Sequence, residues 1–230
     1  MTKMPDLMEL LSKDERLHPD LKPWLLKLRR GPLFLNHPLV QELSVDPSKA
    51  ALINWRFEQK KIRVQEALDA KDLYRYVFLH ERPYRLPAFH EFMRKVETDD
   101  QTYWEMVSSI WIDSENIWQN RAEWGRLWSS PRPGKYQFVM DDDERARFDQ
   151  LPDIVEVYRG INNKKHVKLG LSWTLSRAKA EWFAKRYAGL DESLNLVLTG
   201  QIARKDIHAV ILGRGEQEVV CQKVKRKIPR

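Results

Sequence analysis

The sequence has a single cysteine and no long apolar run. Cys221 is the only cysteine among 230 residues, which excludes an internal disulfide and a cysteine-rich zinc site. We expect its side chain to be a small buried hydrophobe on a strand. No stretch of about 18 apolar residues occurs, and acids interrupt the apolar residues near the N-terminus, so we expect neither a membrane span nor a secretory signal. The expected location is the cytoplasm.

Several common catalytic signatures are also missing. There is no GxGxxG and no Walker-type loop, which argues against ordinary dehydrogenase and NTPase chemistry. His80 and His90 each precede a glutamate but lack the HExxH spacing that places two imidazoles over zinc. The aspartates at 141–143 precede a short helical pattern and are expected to cap it. We therefore expect no metal site.

Positive charge is concentrated toward the C-terminus. The formal net charge is +7, yet residues 1–150 carry 24 basic and 25 acidic side chains, whereas residues 151–230 carry 16 and 8. A positive field of this kind attracts a dinucleotide, a nucleic-acid backbone or an acidic protein. Five of the bases lie in KVKRKIPR, residues 223–230, which is either a solvated tail or part of the folded surface.

The first 130 residues have the pattern of helices interrupted by proline. Residues 46–70 begin with Asp-Pro, an N-cap followed by proline at the first helical position, and continue with apolar residues at helical spacing. Pro83 and Pro87 predict a loop, with another helix beginning near Ala88. The region is therefore predicted to be helical.

A stripe of tryptophans closes this helical region. Trp104, Trp111 and Trp118 recur every seven residues, and the stripe extends to Trp128. Such a stripe can stack nucleic-acid bases, but the acids around it would repel a phosphate backbone. Core packing is therefore the favoured interpretation.

The hydrophobic period changes from helical to extended after residues 129–136, SSPRPGKY, whose composition is typical of a linker. We place a boundary there, between a helical region at 1–135 and a second module at 136–230. Short β-branched or alternating runs follow, separated by one clear helix from Ser176 to about Tyr187. The predicted fold class is α+β.

Three short motifs in the second module carry candidate chemistry. The first is VYRG, which contains Arg159 and Gly160 at the end of a predicted strand. The second is GLSWTL, with Ser172 and Thr174, followed by a helix with the pattern Ala-x-x-Phe-Ala. The third is RGEQEVV, a Glu-x-Glu sequence that ends at Glu218. Arg159 and Ser172 are 13 positions apart, and Ser172 and Glu218 are 46 apart.

In this order, the motifs resemble the arginine-serine-glutamate class of ADP-ribosyltransferases, and the resemblance is confined to about residues 151–230. It implies a helical region followed by a compact module of two small packed sheets, with NAD as co-substrate in the cleft between them. By family analogy alone it also implies a bacterial or phage toxin-like effector, with an antitoxin or inhibitor protein as a further partner.

The resemblance implies a role for each motif residue. Glu218 would bind the ribose of NAD and stabilise the positive charge that forms as nicotinamide leaves. Arg159 would offer a planar fork of donors to the pyrophosphate or ribose. Ser172 would hold Glu218 and touch the ribose, while Thr174 would brace the strand at the cofactor site. Gly160 would let the nicotinamide amide approach the backbone.

Glu216 and the charge of the module favour different acceptors. In the family, an acid at this position accompanies modification of arginine, and alternation would place Glu216 on the same strand face as Glu218. The charge of +8 over residues 151–230 instead attracts RNA or DNA, for which a carboxylate can also act as base. We slightly favour a nucleic-acid acceptor over protein arginine. Hydrolysis of NAD, loss of activity and a non-catalytic nucleic-acid-binding protein stay open. Trp173 stands where the family has a middle hydroxyl and is expected to fill the core.

Overall fold

The chain folds into two compact units of mixed α and β structure. The structure, a computed structural model, describes residues 6–27, 29, 31–115, 117–161, 170–186, 196–213 and 215–226. The first unit is Met1–Thr98 with Asp113–Glu115, and the second is Asp99–Ile112 with Asn116–Arg230. The fold class is therefore α+β, as predicted. Within the described ranges, no helix is long and apolar enough to cross a membrane.

The first unit combines helices with a small sheet that the sequence did not predict. Its α-helices are α1 (Leu7–Ser12), α2 (Ala50–Asp69), α3 (Leu73–Leu79) and α4 (Arg85–Lys95), and its strands are β1 (Leu25–Lys27), β2 (Leu33–Asn36) and β3 (Gln41–Glu42). The strands form an antiparallel sheet in the order β1-β2-β3. Strands this short, among prolines, show too little alternation to be recognised. Pro87 lies in the first turn of α4, where a proline removes no helical hydrogen bond, so this helix begins before Ala88.

The second unit begins with helices built around buried tryptophans. These helices are α5 (Asp100–Asp113), α6 (Arg121–Trp128), α7 (Lys135–Val139) and α8 (Asp142–Asp149). Trp111 packs edge-on against Trp124 and Trp128, with ring centroids 5.0 and 5.4 Å apart. These three rings and Trp104 are buried, which confirms the core interpretation. Trp118 lies between α5 and α6 and is 40% exposed, so it is the one member of the predicted stripe that lies outside the buried cluster.

The division between the units lies well before the predicted linker. The sequence placed the boundary at 135/136, inside the second unit, whereas the structure groups α5 and α6 with the strands that follow. Trp128 stacks on His208, a residue of one of those strands, with ring centroids 6.3 Å apart. Residues 129–136 therefore connect two helices of one unit. The assignment of α5 and α6 to the second unit depends on long-range packing, which cannot be inferred from local amino-acid composition.

Within the described residues, one antiparallel sheet of six strands and the helix α9 (Arg177–Arg186), close to the predicted helix at Ser176 to about Tyr187, follow in the second unit. The strands of this sheet are β4 (Ile154–Ile161), β5 (Ser172–Thr174), β6 (Leu196–Ala203), β7 (Ile207–Ile211), β8 (Glu218–Cys221) and β9 (Lys225–Arg226), in the order β7-β8-β5-β4-β6-β9. A single residue pair, Tyr158 with Thr174, joins β4 to β5. The expected pair of packed sheets is instead one sheet with two halves connected at this point.

The basic segment at the end of the chain contributes the edge strand β9. Lys225 and Arg226 pair with Gln201 and Gly200 of β6. Residues 223–226 are therefore part of the folded surface rather than a tail, and residues 227–230 lie outside the described residues.

A buried glutamate connects helix α8 to the hairpin between β7 and β8. Asp141 caps α8, as predicted, by accepting a hydrogen bond from the Glu144 backbone N–H, and Glu144 Oε2 accepts one from the Asp141 N–H at 3.1 Å. Glu144 Oε1 accepts a third from the Leu212 N–H at 2.8 Å. One side chain thus satisfies two backbone donors from distant parts of the sequence.

The substitution Glu144→Ala should lower the free energy of unfolding by about 2–3 kcal/mol, because it removes half of the capping box and leaves the Leu212 N–H without its acceptor. Asp142→Ala is the control, since its side chain is 95% exposed and pairs with Arg145 in the same helix. It should cost less than about 1 kcal/mol. Urea denaturation of both variants measures the difference. Equal losses would contradict the bridging role.

Candidate functional site

The three sequence motifs lie on three neighbouring strands. Arg159 is on β4, Ser172 is the first residue of β5, and Glu218 is the first residue of β8. These strands are adjacent in the sheet, and Thr174 pairs with both Tyr158 and Glu218. Residues separated by tens of positions in the sequence thus meet in one part of the sheet.

Strand alternation divides the motif residues between the two faces of the sheet. Paired residues on antiparallel strands point to the same face, so Ser172, Thr174 and Glu218 share one face. By the same rule, Arg159 lies on the opposite face with Trp173. The sheet therefore brings the hydroxyl and the carboxylate together directly. The arginine reaches their neighbourhood only through its long side chain.

The guanidinium of Arg159 lies at the beginning of β5. Its Nη1 donates a hydrogen bond to the Ser172 carbonyl oxygen. It also rests against Gly170, where a Cβ would lie 2.3 Å from Arg159 Cζ. Its Nε is buried and has no hydrogen-bond partner within the described ranges. Burial lowers the pKa of Arg159, and the negative charge of Glu218 acts in the opposite direction.

The carboxylate of Glu218 has a donor that the sequence interpretation missed. Trp111 Nε1, from the buried end of α5, lies 3.3 Å from Glu218 Oε1 and donates a hydrogen bond to it. The repeat of tryptophans every seven residues indicated a core position for Trp111 but gave no sign of a polar partner. A buried indole N–H usually requires such a partner, and this requirement is the only signal that the sequence offered.

Thr174 is a bracing residue rather than an open ligand position. It is only 4% exposed, and its hydroxyl donates to the Glu216 carbonyl oxygen at 2.6 Å and accepts from the Ser176 N–H at 3.0 Å. It thereby fixes the turn before β8 and the approach to helix α9 (Arg177–Arg186). The bracing role that the resemblance implied for Thr174 fits these contacts, whereas direct binding of a cofactor by its hydroxyl does not fit this burial. Trp173 is buried, as expected, and donates to the Gly170 carbonyl at 3.0 Å.

Glu216 lies in a turn, which corrects the expectation that it occupies a strand. The strand β8 begins only at Glu218. Gly215 and Gln217 have φ values of +61° and +47°, in the left-handed region, so side-chain alternation does not extend back from the strand. The sequence rule that placed Glu216 and Glu218 on one face therefore fails here. The backbone of Glu216 is held by the hydrogen bond that its carbonyl oxygen accepts from the Thr174 hydroxyl.

Gly160 is required by the helix that packs on its strand. A Cβ at this position would lie 2.1 Å from the Ala180 carbonyl oxygen and 2.5 Å from the Ala184 nitrogen, both in α9. The close approach that Gly160 permits is therefore made by helix backbone, and the resemblance had assigned it to the nicotinamide amide. This contact holds α9 against the strand that carries Arg159.

Cys221 completes the surroundings of the guanidinium. Its side chain is fully buried on β8, which confirms the prediction of a small hydrophobe on a strand. Burial raises the pKa of the thiol, and the positive charge of Arg159 opposes this shift. The thiol is therefore protonated and inert at neutral pH. Among the described residues, no group of three His, Cys, Asp or Glu side chains is arranged to hold a metal ion.

Comparisons with known proteins found no relative of this chain. No protein-family model, curated protein or solved structure gave a match to the chain. The site is therefore described by its own geometry.

The substitution Gly160→Ala should destabilise the protein by about 1–3 kcal/mol, because the added methyl group must push the backbone of α9 away from β4. Gly213→Ala is the matched control, since a Cβ there meets nothing within 4 Å. Denaturation midpoints of the two variants measure the effect. If the two variants are equally stable, Gly160 does not hold α9 in the way described.

Proposed function

We propose that the protein is an NAD-dependent mono-ADP-ribosyltransferase that transfers ADP-ribose to a macromolecule, with nucleic acid slightly favoured as the acceptor. The observation that carries the proposal is the meeting of the three motifs on adjacent strands. Ser172 and Glu218 share a face, and the Arg159 guanidinium, from a residue on the opposite face, donates to the Ser172 carbonyl on the strand between them. Chance matches to three separate motifs give no reason for their strands to be neighbours.

Glu218 is suited to stabilise positive charge on a ribose. In the proposed reaction, the bond between nicotinamide and the ribose C1′ breaks, and its electron pair leaves with nicotinamide. A nucleophile of the acceptor then bonds to C1′ and loses a proton. A carboxylate beside C1′ favours the oxocarbenium-like transition state. The hydrogen bond from Trp111 helps to orient this carboxylate.

Arg159 fits the anionic part of the substrate. A guanidinium has five N–H donors, and Arg159 uses one on the Ser172 carbonyl while its buried Nε lacks a partner within the described residues. The effect of burial on the pKa of this guanidinium exceeds the opposing effect of the Glu218 charge, so a bound anion would stabilise it. The planar fork of donors suits the pyrophosphate of NAD. Gly170 leaves the space that the guanidinium occupies.

The charge of the module supports a nucleic-acid acceptor. Residues 151–230 carry 16 basic and 8 acidic side chains, so their field attracts a phosphate backbone and repels arginine-rich protein surfaces. Glu216, two residues before Glu218, is the competing indication, since in the resembled family an acid there accompanies arginine modification. Modification of protein arginine is therefore the second candidate.

The variant Glu218→Gln should reduce transfer by about 10²–10³-fold, because it removes the negative charge at the reacting ribose. The measurement is transfer of label from NAD labelled in its adenylate half to RNA, DNA or protein of a cell lysate. Glu181→Gln, which removes an exposed carboxylate paired with Arg177 on α9, is the control and should transfer normally.

The acceptor is identified by digesting the labelled product with ribonuclease, deoxyribonuclease or protease. A wild-type protein that neither labels any fraction nor releases nicotinamide would defeat the transferase proposal. Nicotinamide release without transfer would indicate NAD hydrolysis instead. Retention of nucleic acid without any reaction of NAD would support the non-catalytic alternative.

A second variant, Glu216→Gln, tests the part of the site that meets the acceptor. Its backbone role is unaffected, because the hydrogen bond to Thr174 uses the main-chain carbonyl. If the Glu216 carboxylate is the base for the incoming nucleophile, transfer should fall by about 10²-fold while nicotinamide release continues. Measurement of both rates in one reaction gives the ratio. An unchanged ratio would exclude that role.

A further inference from the structure

Helix α9 presents an exposed tryptophan among cations. Trp182 is 51% exposed, although the Arg186 guanidinium carbon lies 4.9 Å from its ring centroid. At 100° per residue, Lys179 and Arg186 lie on one side of Trp182 and Lys185 lies on the other. Ala180 and Ala184 face the opposite way and are buried. We call the residues Lys179, Trp182, Lys185 and Arg186 the α9 ridge.

Helix α9 itself has an excess of positive charge, with four cations and one acid in its sequence. Glu181 is the only acid in α9, and Arg177 occupies it at 3.1 Å. Trp118 provides a contrast within the same unit. It is 40% exposed with the Arg121 guanidinium carbon 5.0 Å from its ring centroid, but Glu115 and Glu123 flank it in the sequence. The two tryptophans share a stacking geometry and differ in local charge.

We propose that the α9 ridge binds single-stranded nucleic acid, with an unpaired base stacked on Trp182 and the phosphates held by Lys179, Lys185 and Arg186. An indole face beside arginine is the combination that stacks bases without regard to sequence. The span from Lys179 to Arg186 is about 10 Å, at 1.5 Å of helix rise per residue, so these cations can contact only a short stretch of a strand. Base-paired strands do not offer an accessible base face, so a duplex should bind less well.

Helix α9, which carries the ridge on its outer face, packs by its other face on the sheet of the proposed site. Helix α9 follows β5 after two residues, and Thr174 accepts a hydrogen bond from Ser176 just before the helix. The opposite face of α9 packs on Gly160, the neighbour of Arg159. A nucleic-acid strand held on the ridge would therefore lie on the outer face of α9, with the helix between it and the β-strands that carry Arg159 and Ser172. The assignment of the strand as acceptor rests on the proposed function, whereas binding itself does not.

The test measures binding of fluorescent poly(dT) and poly(U) strands by anisotropy, without NAD, in the full chain carrying Glu218→Gln. Trp182→Ala should weaken binding about 5- to 100-fold with no change in salt dependence, and Trp182→Phe should restore most of the affinity. Lys185→Gln should reduce the slope of log affinity against log salt by about 0.7. Trp118→Ala, the matched control, should bind normally. Circular dichroism checks that each variant is folded.

Two results would overturn this inference. One is equal affinity of the Glu218→Gln chain with and without the added Trp182→Ala substitution. The other is displacement of the strand by polyglutamate as effectively as by unlabelled poly(dT), which would make the ridge a surface for acidic proteins. If binding depends on Trp182 but the wild-type protein transfers no ADP-ribose, the proposed function is rejected and the proposal that the α9 ridge binds nucleic acid is retained. Transfer from NAD with binding unaffected by Trp182→Ala would reject only the ridge.

Discussion

The single residue pair between Tyr158 and Thr174 is the constraint on which the candidate site depends. It joins the half of the sheet that contains β4 to the half that contains β5 and β8. The same Thr174 pairs with Glu218 and uses its hydroxyl to hold the turn before β8 and the residue that precedes α9. One buried threonine therefore sets the relative positions of the arginine strand, the glutamate strand and the helix.

Helices α5 and α6, which precede the sheet in the sequence, also contribute to the candidate site. Tryptophans on α5 and α6 form a buried cluster, and Trp111 at its edge donates a hydrogen bond to the candidate catalytic carboxylate. Burial of these large rings stabilises the unit, while the indole N–H gives the core a polar contact with the site. A region assigned to packing by its sequence thus takes part in orienting Glu218.

Helix α9 packs against the strand of the candidate site with one face and carries the α9 ridge on the other. Its alanine face allows the close contact with Gly160, and small residues are needed there because the helix backbone lies directly against the strand. Its other face carries Trp182 and the cations of the α9 ridge. A single amphipathic helix can in this way connect the position of Arg159 to a surface for a charged macromolecule.

The sequence by itself determined the α+β class, the location of helix α2, the burial of most of the tryptophans and of Cys221, and the capping of α8 by Asp141. These features follow from local propensity and periodicity, which act over a few residues. Only the tertiary structure decided which helices join the sheet, that the sheet is continuous, that Arg159 lies on the face opposite Glu218, and that Gly160 serves α9. Each of these depends on strand register and long-range packing, and a left-handed turn at Gly215 and Gln217 is enough to break the alternation that a linear sequence suggests.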